Sequence, residues 1–397
     1  MKRQLLRVVQ VGLLVVRFLG MHLFVLVFPI VRRFSRNKWI FNLDCHISVI
    51  ADLRQGLQEY PGVNLVSWNL SGHNFVFRRL MGFSDPVIGI NKNTWMKLSQ
   101  DSLNRFHKTY RLFLNQFDGF VVTYPPAFIE IFQEYRKPIL LVVATRYEFP
   151  FTASSSRWQA LTQTVKSLRN DGLLTVVANN LGDSDYLASF GVENVPVVPS
   201  VCDYIPRSHS VSPPKSLIFA KSPDLEAFVE SSIGPPWVSR TKALGNRYGW
   251  NEVSSCRAIV YIPYNASTMT LFELASLGVP VLVPSLPFLR QLAGEFPGVM
   301  SELTFLELHG VRLEPGPGSK DAREWGTSAY LDWWLERADF YDPDLMPNVF
   351  QFESFEDKVF SEDFELHRQS LEEITVRRNY ALRMERAKLL GDFVAGL

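Results

Sequence analysis

The sequence has few cysteines and no excess of charge of either sign. Its three cysteines, Cys45, Cys202 and Cys256, are far apart and form neither a CxxC pair nor a zinc-ligand spacing. An odd, scattered set of this kind argues against a disulfide framework and against a cysteine metal site. Lys and Arg together number 41, against 40 for Asp and Glu. Net charge therefore gives no reason to expect a nucleic-acid partner.

Internal repeats and low-complexity tracts are also lacking. The 397 residues are 47% apolar and 20% charged, which is typical of a folded globular chain and not of a disordered one. A chain of this length is long enough for two or three domains, each with its own core.

The first 37 residues differ in composition from the rest. Residues 11–31 are apolar over a length that can cross a bilayer core, which takes about 20 residues. Arg17 and His22 lie inside this run and count against a span. No small-residue cleavage site follows it, so a removable signal peptide is not favoured.

Two other interpretations of this segment stay open. Arg3, Arg7, Gln10 and Arg17 fall on one helical stripe, which would suit a helix lying in a membrane interface. A buried amphipathic helix of the globular part is the third interpretation. We expect residues 1–37 to form a membrane anchor or interfacial helix, single-pass or monotopic. The sequence leaves open whether the protein belongs to the Golgi or ER or to a cytoplasmic membrane face.

From residue 38 onward, short apolar runs alternate with longer helical patterns. Nearly unbroken Val, Ile and Leu runs, such as 138–145 and 258–264, are typical of parallel strands covered on both faces. A Pro- and Ser-rich stretch near 203–216 interrupts the alternation and indicates a linker. The sequence thus predicts an α/β fold with two Rossmann-like domains and a central cleft. The predicted bounds are 38–206 for the first domain, 207–215 for the linker, 216–350 for the second domain and 351–397 for C-terminal helices that can pack back on the first.

One segment of the second domain has the features of a ligand site. Asn265, Ala266 and Ser267 form a small turn after an apolar run, and Ser267 or Thr268 can cap the following helix. The N-terminus of a helix suits a phosphate. Glu273 lies nearly two turns deeper, where its carboxylate can accept two hydrogen bonds from a ribose diol. The alternatives are a plain capping loop and an exposed helical glutamate.

Residues 272–281, FELASLGVPV, resemble the Glu-x-x-x-x-Gly-x-Pro-Val element of GT-B nucleotide-sugar glycosyltransferases. The likeness extends distantly to exostosin-like and two-glutamate-motif members. Several retaining families carry a first glutamate where this chain has Asn265, and this difference favours an inverting reaction. The Ser-x-Arg of exostosin-like enzymes is also missing, since Ser267-Thr268-Met269-Thr270 contains no arginine. Nucleotide-sugar epimerases of this fold share the same element.

The resemblance implies that the first domain binds the acceptor and the second binds the nucleotide sugar. Two cations, Lys221 and Arg240, follow the second domain's apolar runs and are expected to meet the diphosphate. The predicted donor-binding set is Lys221, Arg240, Tyr264, Asn265, Ala266, Ser267, Thr268 and Glu273.

Two histidines at predicted strand ends of the first domain are candidates for a general base. His46, with Asp44 near it in sequence, lies where many inverting members of this fold class place that base. His73 is its rival. The alternatives are a capping or core histidine at 46 and an ordinary turn at 73. Further acceptor- or phosphate-binding candidates are Ser71, Thr123, Arg146 and Glu148, although Arg146 can also pair with Glu148 or cap a helix.

No Asp-x-Asp motif stands at a strand end as in the metal-dependent GT-A enzymes. Asp183-Ser184-Asp185 matches that motif, but it follows an apolar run at a point that predicts the start of a helix, where the positive helix end suits its carboxylates. We therefore expect helix N-termini and cations, and no metal, to stabilise the leaving diphosphate. No cofactor is expected beyond a UDP- or GDP-linked sugar as co-substrate.

The sequence therefore predicts a hexosyl- or pentosyltransferase of glycan biosynthesis that moves a sugar from a nucleotide-diphosphate donor to a glycan or lipid-linked acceptor. Its expected partners are the nucleotide sugar, the acceptor and, through residues 1–37, a membrane. Nucleic acid is not expected. Two other functions stay open, namely a nucleotide-sugar epimerase of the same fold and a non-catalytic sugar- or nucleotide-binding module.

Overall fold

The computed structural model describes residues 2–70, 87–151, 154–205, 215–245, 248–301 and 328–397, with only the backbone at 2–17, 48 and 365–369. The chain forms two compact units. Unit 1 comprises Met1–Asn179, Leu187–Val197 and Arg386–Leu397, and unit 2 comprises Asn180–Tyr186 and Val198–Glu385. Nearly all of the predicted linker, 207–215, lies outside the described residues.

Unit 1 contains a five-stranded parallel sheet in the order β2-β1-β3-β4-β5. The elements in chain order are α1 (Lys2–Arg33), β1 (Lys38–Asp44), α2 (Ile47–Leu57), β2 (Val63–Asn69), α3 (Gln100–Leu114), β3 (Gly119–Val122), α4 (Ile129–Phe132), β4 (Ile139–Val143), α5 (Ser155–Asn170), β5 (Leu174–Ala178) and α6 (Leu181–Ser189). The last of these, α6, begins in unit 2 and ends in unit 1.

Unit 2 contains a second five-stranded parallel sheet, in the order β7-β6-β8-β9-β10. Its elements are β6 (Ser216–Phe219), α7 (Pro223–Ile233), β7 (Trp237–Ser239), α8 (Arg240–Leu244), α9 (Trp250–Ser254), β8 (Ala258–Tyr261), α10 (Met269–Leu277), β9 (Val281–Pro284), α11 (Leu286–Glu295), α12 (Ser328–Leu335), β10 (Val349–Phe352) and α13 (Phe364–Ala395). Helix α13 begins in unit 2, and its residues from Arg386 onward belong to unit 1.

The prediction of two Rossmann-like parallel sheets is confirmed. Every residue of β3, β4, β8 and β9 is buried, as expected for strands covered on both faces. Counted within each unit, both sheets have the strand order 2-1-3-4-5. This order reverses between the first and third strands, and ligands of such sheets bind outside the strands' carboxyl ends at that switch point. The switch points lie between β1 and β3 and between β6 and β8.

The structure differs from the sequence prediction in four elements. The apolar run 195–200 predicts a further strand of the first domain, but it forms one bridge, between Ala178 and Val197, because Pro196 and Pro199 cannot donate to a ladder. The short strands β7 and β10 have three and four residues, too few to give a periodic signal. Where the sequence favoured two helices over 353–395, the structure has one long helix, α13.

Helix α1 packs one face against unit 1. Met21 and Phe28 are at most 2% exposed, and the Phe28 ring stacks on Phe117 with 4.9 Å between centroids. Arg32 donates two hydrogen bonds to the Asp118 carboxylate at 2.9 and 3.0 Å. The opposite face carries exposed apolar side chains, namely Leu19, Leu23, Leu26 and Ile30. Among the described residues, no helix combines the length and apolarity needed to cross a membrane.

Candidate functional site

The switch point of unit 2 brings together two of the predicted donor-binding residues. Lys221 follows β6 and Tyr264 follows β8, so both come directly after the two strands where the order reverses. The Lys221 ammonium lies 4.4 Å from the centroid of the Tyr264 ring, within the range of a cation–π contact. The Lys221 side chain is exposed. This edge of the sheet therefore presents a cation to ligands.

The predicted small turn leads into α10 beside this pair. Asn265 Oδ1 accepts a hydrogen bond from the Ala266 N–H at 2.8 Å, which stabilises a tight local turn. Thr268 occupies the N-cap position, but its side chain makes no capping bond to the helix. Its hydroxyl pairs with the Tyr261 hydroxyl at 2.9 Å instead. Because the N-cap side chain leaves the first N–H groups of α10 uncapped, those groups suit an anionic ligand.

Glu273 lies on α10 and is only 5% exposed. Its Oε1 accepts a hydrogen bond from the Tyr204 hydroxyl at 2.5 Å. The carboxylate also helps to raise the pKa values of Tyr248 and Tyr261, although burial is the larger cause for both. Glu273 is therefore a buried acceptor within a group of tyrosines and not an exposed helical glutamate. Sequence reasoning missed Tyr204, which lies at the start of the Pro- and Ser-rich stretch near 203–216.

Arg240, the second predicted cation, has an acidic partner of its own. Its guanidinium pairs with Glu226 at 2.9 Å, and the Glu226 side chain is fully buried. The same carboxylate accepts bonds from the Ser239 hydroxyl and the Thr241 N–H at 2.9 and 2.8 Å. Arg240 thus neutralises a buried charge, and a diphosphate would have to compete with Glu226 for it. Of the two predicted cations, Arg240 is thus engaged by a buried carboxylate, whereas Lys221 is exposed and lies over an aromatic ring.

Asp339 supports the turn and was missed by sequence reasoning. Its carboxylate accepts a hydrogen bond from the Ser267 side chain, and burial raises its pKa well above the ordinary value, with nearby Asp183 adding to the shift. Asp339 Oδ2 has no hydrogen-bond partner among the described residues. The Asp339 carboxyl thus positions the Ser267 side chain at the turn. No motif marks it, because the pairing joins distant parts of the chain.

The Asp183-Ser184-Asp185 segment begins a helix, as predicted. It lies in the first turn of α6, where the Asp183 N–H donates to Asn180 Oδ1 at 2.7 Å. Asp185 forms an ion pair with Arg337 at 2.8 Å. The Asp183 carboxylate accepts a hydrogen bond from Asn180 Nδ2 at 2.6 Å, so both carboxylates have structural partners.

The switch point of unit 1 is organised by Asp44. This residue ends β1 and is fully buried. One carboxylate oxygen accepts the backbone N–H of His46 at 2.5 Å, and the other accepts that of Tyr124 at 3.3 Å. Burial raises the Asp44 pKa to about 7, although the backbone donors act in the opposite direction. Asp44 therefore connects the loops that follow β1 and β3.

His46, the predicted base, is exposed at this edge. It occupies the N-cap position of α2, and its side chain makes no capping bond. Its ring centroid lies 5.9 Å from that of Tyr124. The helix-capping alternative for His46 is thus not what the structure shows, and the side chain is placed where a ligand can reach it.

The other predicted residues of unit 1 follow neighbouring strands. Thr123 directly follows β3 and is fully buried, and its hydroxyl has no hydrogen-bond partner among the described residues. Arg146 and Glu148 follow β4, with Arg146 half-buried and Glu148 fully buried. Ser71 and His73 lie outside the described residues, so His73 remains a sequence prediction.

Comparison with known proteins gives matches among solved structures only. No protein-family model and no curated protein matches the sequence. The chain is similar to the glycosyltransferase SnogD from Streptomyces nogalater, at 12% identity over 90% of this chain and 100% of that one, with a TM-score of 0.45. A glycotransferase of kitacinnamycin is 11% identical over 90% of this chain and 100% of that one, with a TM-score of 0.43. A UDP-N-acetylglucosamine 2-epimerase is 10% identical over 72% of this chain and 94% of that one, with a TM-score of 0.34. Likeness at this level assigns no activity, which has to be inferred from the residues of the site.

Proposed function

We propose that the protein is a glycosyltransferase that uses a nucleotide-diphosphate sugar. The observation that carries this proposal is the pairing of Lys221 with Tyr264 beside the uncapped start of α10, at the switch point of unit 2. An exposed cation and the positive N-terminal end of a helix together suit a diphosphate. Such a ligand is the leaving group of a nucleotide sugar.

Glu273 is proposed to hold the ribose of the donor. Its carboxylate is buried on α10, and Tyr204 donates a hydrogen bond to one of its oxygens. A ribose diol offers the same type of donor as the Tyr204 hydroxyl. We therefore expect the 2′- and 3′-hydroxyls of a UDP- or GDP-linked sugar to bind here.

In the transfer step, an acceptor oxygen forms a bond to the anomeric carbon while the bond from that carbon to the diphosphate oxygen breaks. Lys221 and the N-terminus of α10 stabilise the charge that develops on the leaving diphosphate. His46 takes the acceptor hydroxyl proton, which corresponds to an inverting reaction. Asp44 acts as a positioning residue, because it binds the backbone N–H of His46.

The acceptor is proposed to be lipid-linked, with the protein lying on a membrane through α1. Its exposed face from residue 19 to residue 30 carries Leu19, Leu23, Leu26 and Ile30, each more than half exposed. Arg33 and Arg36 follow this face and are exposed. An apolar helix face with adjacent cations is typical of a helix in the membrane interface.

Two variants with a matched control test the donor site. Lys221→Met should weaken nucleoside diphosphate binding roughly tenfold to a hundredfold, as expected for the loss of a charged contact. Lys242→Met is the control, because Lys242 is exposed and already paired with Glu230 at 2.8 Å. Glu273→Gln should reduce the preference for UDP or GDP over the 2′-deoxy nucleotide. Titration calorimetry measures all three.

A panel of UDP-, GDP- and CMP-sugars then tests the reaction itself. Transfer to a lipid-linked or glycan acceptor, with loss of activity in Lys221→Met, is the expected result. Equal nucleotide affinity in Lys221→Met and the wild type would contradict the donor site. Conversion of the sugar to its epimer without transfer would replace the proposal with an epimerase.

A further inference from the structure

A cavity of about 450 Å³ lies along β2 in unit 1. Gly20 and Phe24 of α1, Arg54 and Leu57 of α2, and the strand itself form its mainly apolar wall. Its volume is within the range of small-molecule sites, which is about 300–1,000 Å³. Within the part of the chain that the structure describes, β2 is an edge strand of the sheet, and no described strand covers this side of it.

Three hydrogen-bond donors in the lining lack partners within the described part of the chain. Arg54 is half-buried and forms no ion pair there, and burial lowers its pKa. Asn64 Nδ2 and Trp68 Nε1 are buried without acceptors, and the Trp68 side chain is fully buried. Buried donors are normally satisfied. The two neutral donors are covered by protein atoms, so the half-buried Arg54 is the group that a ligand in the cavity meets, and its positive charge favours a negatively charged ligand.

The cavity borders the exposed apolar face of α1. Gly20 lines the cavity and lies three residues before Leu23, which is 62% exposed. Residues three apart are neighbours on a helix surface. A β-carbon added at Gly20 would meet no atom within 4 Å, so the wall is open at this point. An apolar chain lying against α1 can therefore enter beside Gly20.

We propose that this cavity binds one anionic lipid, with its apolar chain against Phe24 and Leu57 and its acidic head group at Arg54. The exposed cations Arg33 and Arg36, which follow the apolar face of α1, complement an anionic lipid surface. This inference shares the face of α1 with the proposed membrane contact, but no residue of the donor site takes part in it, so binding at the cavity can be tested apart from nucleotide binding.

Calorimetric titration of the full chain tests the ligand chemistry. The probes are decyl phosphate and decanoate below their micelle concentrations, with decanol and inorganic phosphate as the two half-ligands. We expect an acidic amphiphile to bind at least tenfold more tightly than decanol, and inorganic phosphate not to compete. The better of the two acidic probes identifies the head group. Equal binding of decanol and both acidic probes would overturn the proposal.

Variants test the location. Gly20→Leu should weaken the binding of the acidic probes and of decanol alike, at least tenfold, because the leucine side chain occupies the open space beside α1. Gly294→Leu is the matched control, since Gly294 also lies in a helix with no atom within 4 Å of an added β-carbon. Arg54→Gln should weaken the binding of the acidic probes only. Arg54→Lys keeps a positive charge, so it should bind the acidic probes more tightly than Arg54→Gln does. Wild-type affinity in Gly20→Leu, or an equal loss in Gly294→Leu, would refute this site.

Discussion

The two units share a strand order but place opposite charges at their switch points. In unit 1 the Asp44 carboxyl is fully buried and accepts backbone N–H groups from the loops around it. In unit 2 the Lys221 ammonium is exposed and lies over the Tyr264 ring. A buried carboxyl bonded to the main chain organises loops, whereas an exposed cation can meet a ligand. The same topology thus serves two purposes, and the side chains decide which one.

A second contrast between the units lies on the shared helix α13. Arg386 pairs with Asp52 in unit 1 at 3.0 Å, with side chains 3% and 4% exposed. One turn earlier, Arg383 pairs with Asp203 in unit 2 at 2.7 Å, with side chains 47% and 10% exposed. The two ion pairs are alike in chemistry and differ in their access to water. They therefore test how burial changes the contribution of an ion pair to the free energy of unfolding.

The largest predicted effect is the loss of the buried pair. Arg386→Met should lower the free energy of unfolding by about 3–5 kcal/mol, because it leaves the Asp52 carboxylate buried without its cation. Arg383→Met should cost about 1 kcal/mol, since water reaches that guanidinium. Urea denaturation followed by circular dichroism measures both. Equal losses in the two variants would mean that burial does not separate the pairs.

The sequence predicted the parts of the fold that local pattern controls. Unbroken apolar runs identified the buried strands, and Lys221 and Tyr264 follow the carboxyl ends of those strands as predicted. Partners that come from distant parts of the chain were not predictable. Tyr204 binds Glu273 and Asp339 binds Ser267, and no local spacing relates these pairs. The Arg240–Glu226 pair was missed for the same reason.

The second prediction concerns the pH dependence that Asp44 gives to unit 1. Its pKa is raised from 3.8 to about 7 in the folded chain, so between these values the folded state binds more protons than the unfolded state. The free energy of unfolding should therefore fall as pH rises from 4 to 7, by up to about 4 kcal/mol from this group.

The variant Asp44→Asn isolates this contribution. Asn cannot ionise, so its unfolding free energy lacks this contribution. The unfolding free energy of the wild type minus that of the variant should therefore be larger at pH 5 than at pH 8. Denaturation at both pH values measures it. A difference independent of pH would show that Asp44 stays ionised in the folded chain.

The smallest predicted effect compares two open helical glycines, one in each unit. Gly20 in α1 and Gly294 in α11 both have no atom within 4 Å of an added β-carbon. Gly20→Ala should raise the free energy of unfolding by about 0.5–1 kcal/mol, because alanine restricts the unfolded chain and favours the helix. Gly294→Ala should raise the free energy of unfolding by less, because Gly294 lies in the last turn of α11 and helix ends fray.

Thermal or urea denaturation of the two alanine variants measures this difference. Alanine is too small to fill the cavity beside α1, so Gly20→Ala should keep wild-type affinity for decyl phosphate while Gly20→Leu loses it. A loss of stability in Gly20→Ala would instead mean that this wall of α1 is covered in solution. The alanine variant thus distinguishes two effects of Gly20, namely its effect on helix stability and its effect on the space available to a ligand.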